Sequence, residues 1–85
     1  MSHAEIDPQL KQLIVERLFL ELEPDRIDSE TALADYGVDS FLLVELIVAM
    51  EEMFQVQFEQ ADINAESLFS VAALRELIRR KQNGE

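Results

Sequence analysis

Residues 37–54 read GVDSFLLVELIVAMEEMF and carry the clearest helical pattern of the chain. The carboxylate of Asp39 can accept a hydrogen bond from the free N–H groups of a first helical turn, and Gly37 permits a tight turn before it. Apolar residues then recur at helical spacing as far as Phe54, with Gln55 and Val56 expected at a frayed end. The pattern predicts a helix that opens with Ser40.

On a helical wheel this segment has one apolar side and one mixed side. The apolar side, predicted to face the core, contains Leu43, Leu46, Ile47, Met50, Met53 and Phe54. The mixed side contains Ser40, Phe41, Val44, Glu45, Val48, Glu51 and Glu52. Its apolar residues are either half-buried under the preceding loop, which the helix taken alone favours, or anchors of an acidic docking surface.

Two further helices are expected on either side of this one. Asp7 and Pro8 are typical of a helix start, and apolar spacing continues to about Leu22. The last helix is expected to begin after Ser70 and to end near Gln82, with basic residues at its negative end.

The connections between the helices are less regular. Glu23-Pro24-Asp25 ends the first helix and opens a long loop, because the residue before proline avoids helical geometry. Ile27, Leu33 and Tyr36 are spaced to pin that loop to the domain. Between Val56 and Ser67 the signals are weak, although Asp62 could begin one short helical turn.

No apolar alternation is long enough for a sheet, so the predicted class is all-α. The expected architecture is a small bundle of three main helices plus one short helix, with a long loop between helices 1 and 2. Residues 1–6 are expected to form a flexible leader, residues 7–82 the domain and residues 83–85 a tail. His3, in the leader, is given no role.

The composition excludes several kinds of function. The 85 residues carry a formal net charge of −11, which repels nucleic acids and anionic membranes and attracts basic protein surfaces. There is no cysteine, no stretch of about 20 apolar residues and no leader typical of secretion, so a cytoplasmic protein, monomeric by default, is expected. No calcium-loop motif appears, and a Ser-His-acid hydrolase lacks a histidine near Ser40, so neither a metal nor catalysis by the chain is expected.

The order Gly37-Val38-Asp39-Ser40-Phe41 resembles the phosphopantetheine site of the acyl carrier protein family, which includes aminoacyl and peptidyl carriers. The resemblance continues through Val44-Glu45-Leu46, Ala49-Met50-Glu51-Glu52 and Leu68-Phe69-Ser70-Val71, and covers about residues 6–81. A serine in a first helical turn usually has only a local role. The surrounding pattern makes attachment the stronger interpretation here.

The resemblance implies a carrier that is a substrate of other enzymes. A phosphopantetheinyl transferase would move 4′-phosphopantetheine from coenzyme A to Ser40, whose arm would hold cargo as a thioester. Asp39 would help to position that enzyme, and Phe41, Val44 and Val48 would be apolar anchors. The three glutamates at positions 45, 51 and 52 would meet basic patches on ligases, acyltransferases or synthases.

The pattern also departs from fatty-acid carriers. Leu42 and Leu43 are more apolar than the residues often found there, and the segment from Gln57 to Ser67 is slightly longer. These leucines would change the docking partner or line a cargo cavity, or else only pack against the loop. A free-standing carrier in polyketide, nonribosomal peptide or related biosynthesis is therefore favoured; the alternatives are a fatty-acid-synthesis carrier and an unmodified acidic helical adaptor.

Overall fold

The computed structural model describes residues 3–83, with the backbone alone for residues 3–5. It contains three α-helices, α1 (His3–Arg17), α2 (Ser40–Phe54) and α3 (Val71–Gln82). Short 3-10 turns occur at Pro24–Arg26, Leu33–Tyr36 and Gln60–Asp62. Within the described residues no strand forms, and a single bridge joins Ala32 to Ser70. The predicted all-α bundle is confirmed.

Helix α1 begins earlier than predicted. It starts at His3 instead of Asp7, so that Pro8 lies in its interior. The side chain of Ile6, assigned above to a flexible leader, is fully buried in the core. Its burial favours extending the helix toward the N-terminus, although Pro8 has no N–H to donate. Residues 1, 2, 84 and 85 of the expected leader and tail lie outside the described part.

Helix α1 also ends earlier than the predicted Leu22, at Arg17. Phe19 adopts a left-handed backbone with φ 55°. The N–H of Leu20 donates to the carbonyl of Val15 over 3.1 Å, which closes the helix end without a glycine. The leucines at positions 20 and 22 still pack against the core from outside the helix, so the periodicity reflects burial and not helical structure.

The core lies between the three helices and includes the pinning residues of the long loop, since Ile27 and Leu33 are buried and Tyr36 packs against them. A polar contact also fixes this loop. The Asp7 carboxylate accepts hydrogen bonds from Arg75 Nη1 and from Ser29 Oγ, each over 2.9 Å. The Ser29 carbonyl in turn accepts from the N–H of Ala72 over 2.9 Å, so α1, the loop and α3 are tied together.

Helix α2 has the predicted bounds, and its N-terminal cap is confirmed because Asp39 Oδ1 accepts from the N–H of Leu42 over 2.9 Å. Its core side is predicted only in part. Met53, expected in the core, is 48% exposed, Leu43 is half-buried, and Ala49, not predicted as core, is buried. Met53 falls at the exposed edge of the buried stripe.

The segment between α2 and α3 forms one 3-10 turn that Asp62 ends instead of beginning. The reason is a reciprocal cap. The N–H of Asp62 donates to the backbone carbonyl of Glu59 over 2.9 Å, and Asp62 Oδ2 accepts from the N–H of Glu59 over 2.8 Å. Helix α3 has the predicted cap, since Ser70 Oγ accepts from the N–H of Ala73 over 3.2 Å.

Candidate functional site

Ser40 is the first residue of α2, and its side chain is exposed. Two neighbours place it there. Gly37 has φ 85°, a left-handed conformation that turns the chain after the second 3-10 turn, and Asp39 then caps the helix. The Ser40 hydroxyl therefore lies at the positive end of the α2 dipole, where an added phosphodiester would be favoured.

A largely apolar cleft of about 410 Å³ opens beside Ser40. Its walls come from the long loop, the first turn of α2 and the segment before α3. The lining residues are Ala32, Leu33, Ala34, Val38, Ser40, Leu43, Ile63, Asn64, Ala65, Leu68 and Phe69. The N–H of Leu33 donates to the carbonyl of Phe69 over 2.8 Å, and this bond joins the two loops that form the cleft.

The sequence identified only part of this cleft. Leu43 is one of two leucines expected either to line a cargo cavity or to pack against the loop, and the structure places it half-buried against the core and on the wall of the cleft. Leu42 is half-buried against the core and does not line the cleft. The sequence does not identify the cleft residues Ile63, Asn64 and Ala65, because only the tertiary fold brings them next to Ser40.

The three apolar residues on the mixed side of α2 are exposed. Phe41 is 64%, Val44 62% and Val48 49% accessible. The interpretation that the loop half-buries them is wrong, because the loop packs at the first turn of α2 and leaves this face uncovered. They form one exposed stripe next to Ser40, which is the geometry that a docking surface requires.

The carboxylates around this stripe differ in their engagement. Glu45 is exposed. Glu52 forms an exposed ion pair with Arg17 over 3.4 Å, and Glu51 is half-buried, where its Oε2 accepts from the N–H of Phe58 over 2.9 Å. Glu51 therefore has a structural contact in addition to its charge, and Asp39 has one as the cap of α2.

On the far side of the cleft, Lys81 of α3 holds the third 3-10 turn. Its Nζ lies 2.7 Å from Asp62 Oδ2 and 3.6 Å from Glu59 Oε2. The hydrogen bond from Lys81 lowers the pKa of Asp62, and the same contact raises the pKa of Lys81. Both groups are therefore charged at neutral pH.

The described residues contain no group of three or more metal-binding side chains, and none of their helices meets the length and apolarity of a membrane span. The residues present do fit phosphopantetheine. An exposed hydroxyl at a helix N-terminus would accommodate the phosphodiester, and an apolar cleft adjoins it.

Comparison with known proteins agrees with this geometry. The family model described as "Phosphopantetheine attachment site" matches residues 8–80. An acyl carrier protein of Bdellovibrio bacteriovorus is 36% identical over 77 residues, which are 89% of this chain and 94% of that protein. An acyl carrier protein of Desulforapulum autotrophicum is also 36% identical over 77 residues, 89% of this chain and 96% of that one.

Solved structures give the same result. One crystal structure contains an engineered Bradyrhizobium japonicum glycine:[carrier protein] ligase complexed with carrier protein from Agrobacterium tumefaciens and AMP. A chain in it matches at 25% identity with a TM-score of 0.77, covering 86% of this chain and 97% of that chain. The solution structure of a holo acyl carrier protein from Nitrosomonas europaea has a TM-score of 0.81 at 20% identity over 98% and 99% of the chains, which shows the shared fold.

Proposed function

This chain belongs to the phosphopantetheine-attachment family of acyl carrier proteins, whose prosthetic group is 4′-phosphopantetheine, and from that premise we propose that Ser40 is its attachment residue. The observation that carries the proposal is the exposed Ser40 hydroxyl at the first position of α2, on the rim of an apolar cleft. The other serines of the described part lie in the long loop, before α3 or at its cap.

In the proposed modification, Ser40 Oγ forms a bond to the phosphorus that carries the pantetheine of coenzyme A. The bond from that phosphorus to the adenosine bisphosphate breaks, and a base of the transferase takes the hydroxyl proton. Attached to Ser40, the group supplies a terminal thiol that holds cargo as a thioester, chemistry that this cysteine-free chain lacks. Ser40 is thus a substrate residue, and catalysis belongs to the partner enzymes.

The test is intact-protein mass spectrometry after incubation with coenzyme A and a broad-specificity phosphopantetheinyl transferase. Wild type and Ser67→Ala should each gain the mass of one phosphopantetheine group, and Ser40→Ala should gain none. Ser67 is a matched control, because it lies near the cleft and does not open a helix. Folded wild type that gains no mass would favour the unmodified acidic adaptor instead.

We further propose that the α2 face binds the partner enzymes. The exposed stripe of Phe41, Val44 and Val48 would supply apolar contact, and the charges of Glu45 and Glu52 would steer basic patches toward it. Glu51 would add its charge from a half-buried position. Asp39, as the cap of α2, would help to position the transferase at Ser40.

A double charge reversal tests this surface. Glu45→Lys with Glu52→Lys should slow transfer to and from partner enzymes at low salt, and the loss should shrink as salt rises. The matched control is Asp25→Lys with Glu66→Lys, which makes the same charge change at exposed residues off α2. If both pairs slow transfer equally, the effect comes from net charge, and if neither does, α2 is not the docking face.

For the partners themselves, we propose an acyl- or aminoacyl-activating ligase, besides the transferase. The ligase complex matched above supports this, because the chain matched in it is nearly as long as ours and is therefore its carrier protein. The apolar Leu43 in the cleft and the long segment before α3 support a specialised pathway. The acyl carrier proteins that match at 36% identity support the alternative, a general acyl carrier.

Loading assays separate these candidates. An aminoacyl carrier should be charged by an amino acid:carrier protein ligase with ATP, whereas a fatty-acid carrier should be charged by a malonyl transferase and elongated. Nucleic acids and membranes are not proposed as partners, since the net charge repels both. A cytoplasmic monomer stays a prediction of the sequence.

A further inference from the structure

The wall of the cleft opposite α2 is formed by Ile63, Asn64 and Ala65. Ile63 is 47% exposed, and the two residues after it are exposed as well, so burial holds this wall only weakly. Asn64 braces the turn internally: its Oδ1 accepts from the N–H of Ser67 over 2.9 Å, and its Nδ2 donates to the carbonyl of Ala61 over 3.0 Å. These bonds fix the shape of the turn but not its place on the domain.

Contacts at both ends and in the middle place the segment on the domain. At one end the N–H of Phe58 donates to Glu51 of α2, and at the other Leu68 is buried in the core. Between them the attachment is the ion pair of Lys81 with Asp62, the residue that directly precedes the wall. Asp62 and Lys81 are only 17% and 11% exposed, which makes the pair less screened than an ordinary surface contact.

We propose that Lys81 is a positioning residue for the cleft: by holding Asp62 and Glu59, it fixes the wall at Ile63–Ala65 and so sets how well an acyl group is sheltered beside Ser40. The cargo part of this inference rests on the proposed function. Lys81 lies near the end of the last helix and touches neither Ser40 nor the cleft. It acts through the turn that its ammonium group holds.

The variants are chosen to separate this role from general stability. Lys81→Gln and Asp62→Asn each remove the charge pair, and the asparagine retains an oxygen for the N–H of Glu59. Lys81→Arg keeps the cation. Lys11→Gln, on α1, makes the same charge change as Lys81→Gln away from the cleft wall.

Each protein is first loaded from acetyl- or octanoyl-coenzyme A, and the cleavage of its thioester by hydroxylamine is followed by mass spectrometry. Lys81→Gln and Asp62→Asn should lose the octanoyl group, as its hydroxamate, roughly three to five times faster, the population shift that loss of one such ion pair permits. Cleavage of the acetyl thioester should be unchanged, because a group that short stays outside the cleft. Wild type, Lys81→Arg and Lys11→Gln should share one slow rate of octanoyl cleavage.

Amide hydrogen exchange on the unloaded proteins provides the second measurement. Exchange at Ile63–Ala65 should accelerate in Lys81→Gln and Asp62→Asn and in neither control. If the octanoyl thioester of each variant is cleaved as slowly as that of wild type and amide exchange at Ile63–Ala65 is unchanged, the proposed role of Lys81 is wrong, while the proposed function stands. If wild type accepts no acyl-phosphopantetheine, the proposed function is wrong and so is the sheltering of an acyl group. Even then, unchanged amide exchange in the unloaded variants would show separately that Lys81 does not position the wall.

Discussion

Removing the Asp7 carboxylate should destabilise the whole domain, because this one group ties α1 to the long loop and to α3. In Asp7→Ala the Ser29 hydroxyl loses its acceptor, and Arg75, whose side chain is 17% exposed, keeps Glu76 at 3.2 Å as its ion-pair partner among the described residues. Breaking a fully buried pair costs about 3–5 kcal/mol. Since both side chains here retain some solvent and Arg75 retains a partner, we expect a loss of about 2 kcal/mol, or roughly 10 °C in Tm for a domain of this size.

The assay is urea unfolding followed by circular dichroism in a double-mutant cycle. Asp7→Ala, Arg75→Met and the double variant should show a coupling of about 1 kcal/mol, because the two groups share one contact. Asp25→Ala, which removes an exposed carboxylate, should change stability by less than about 0.5 kcal/mol. Additive losses from Asp7→Ala and Arg75→Met, or a loss for Asp7→Ala no larger than for the control, would show that Asp7 does not tie α1 to α3 through Arg75.

Three other expectations concern the backbone and the Lys81 pair. Gly37→Ala should lose about 1–2 kcal/mol in urea unfolding, purely from the left-handed backbone, since nothing lies within 4 Å of the added Cβ; a neutral effect would contradict this. Phe19→Gly should stabilise the domain by about 0.5–1 kcal/mol, because Phe19 combines φ 55° with 87% exposure and has little packing to lose; a lower urea midpoint would show that its ring is needed. The lowered pKa of Asp62 gives a stability contribution that is present above the reference value of 3.8 and is lost as pH falls through the folded pKa. The raised pKa of Lys81 gives a contribution that is present below 10.5 and is lost as pH rises through the folded pKa. The stability difference between wild type and Lys81→Gln should therefore be constant from about pH 5 to about 9 and shrink outside that window, and a slope within the window would contradict this assignment.

The elements that the sequence predicts best are those defined by local chemistry. Asp39 and Ser70 cap the helices that follow them, as expected, because a cap depends only on a side chain and the next turn. The end of α1 could not be predicted in this way. Leucine spacing continues past Arg17, but the chain leaves the helix at Phe19, a residue type that does not favour a left-handed backbone.

The candidate site shows the same division. Ser40 and the exposed stripe on α2 follow from one segment, although the sequence alone favoured burial of Phe41 under the loop. The opposite wall could not be predicted, since Ile63 gains its place from a contact between Asp62 and Lys81, residues far apart in the sequence. Met53 was assigned to the core because helical spacing alone does not show where the buried stripe ends.

Most residues that line the cleft lie in the loops between the helices. The residues that stabilise the bundle are therefore largely different from those that would set cargo selectivity. The helices contribute Ser40 and Leu43, while the remaining walls belong to the long loop and to the segment before α3. The Leu33 to Phe69 backbone bond joins these two loops without using a side chain, and the side chain of Phe69 is itself exposed. Substitutions at Ile63 or Ala65 remove no core packing, because both side chains are exposed, yet they alter the wall that faces Ser40. Under the proposed function, cargo preference would therefore change at these positions while the bundle and the proposed α2 docking surface stay intact.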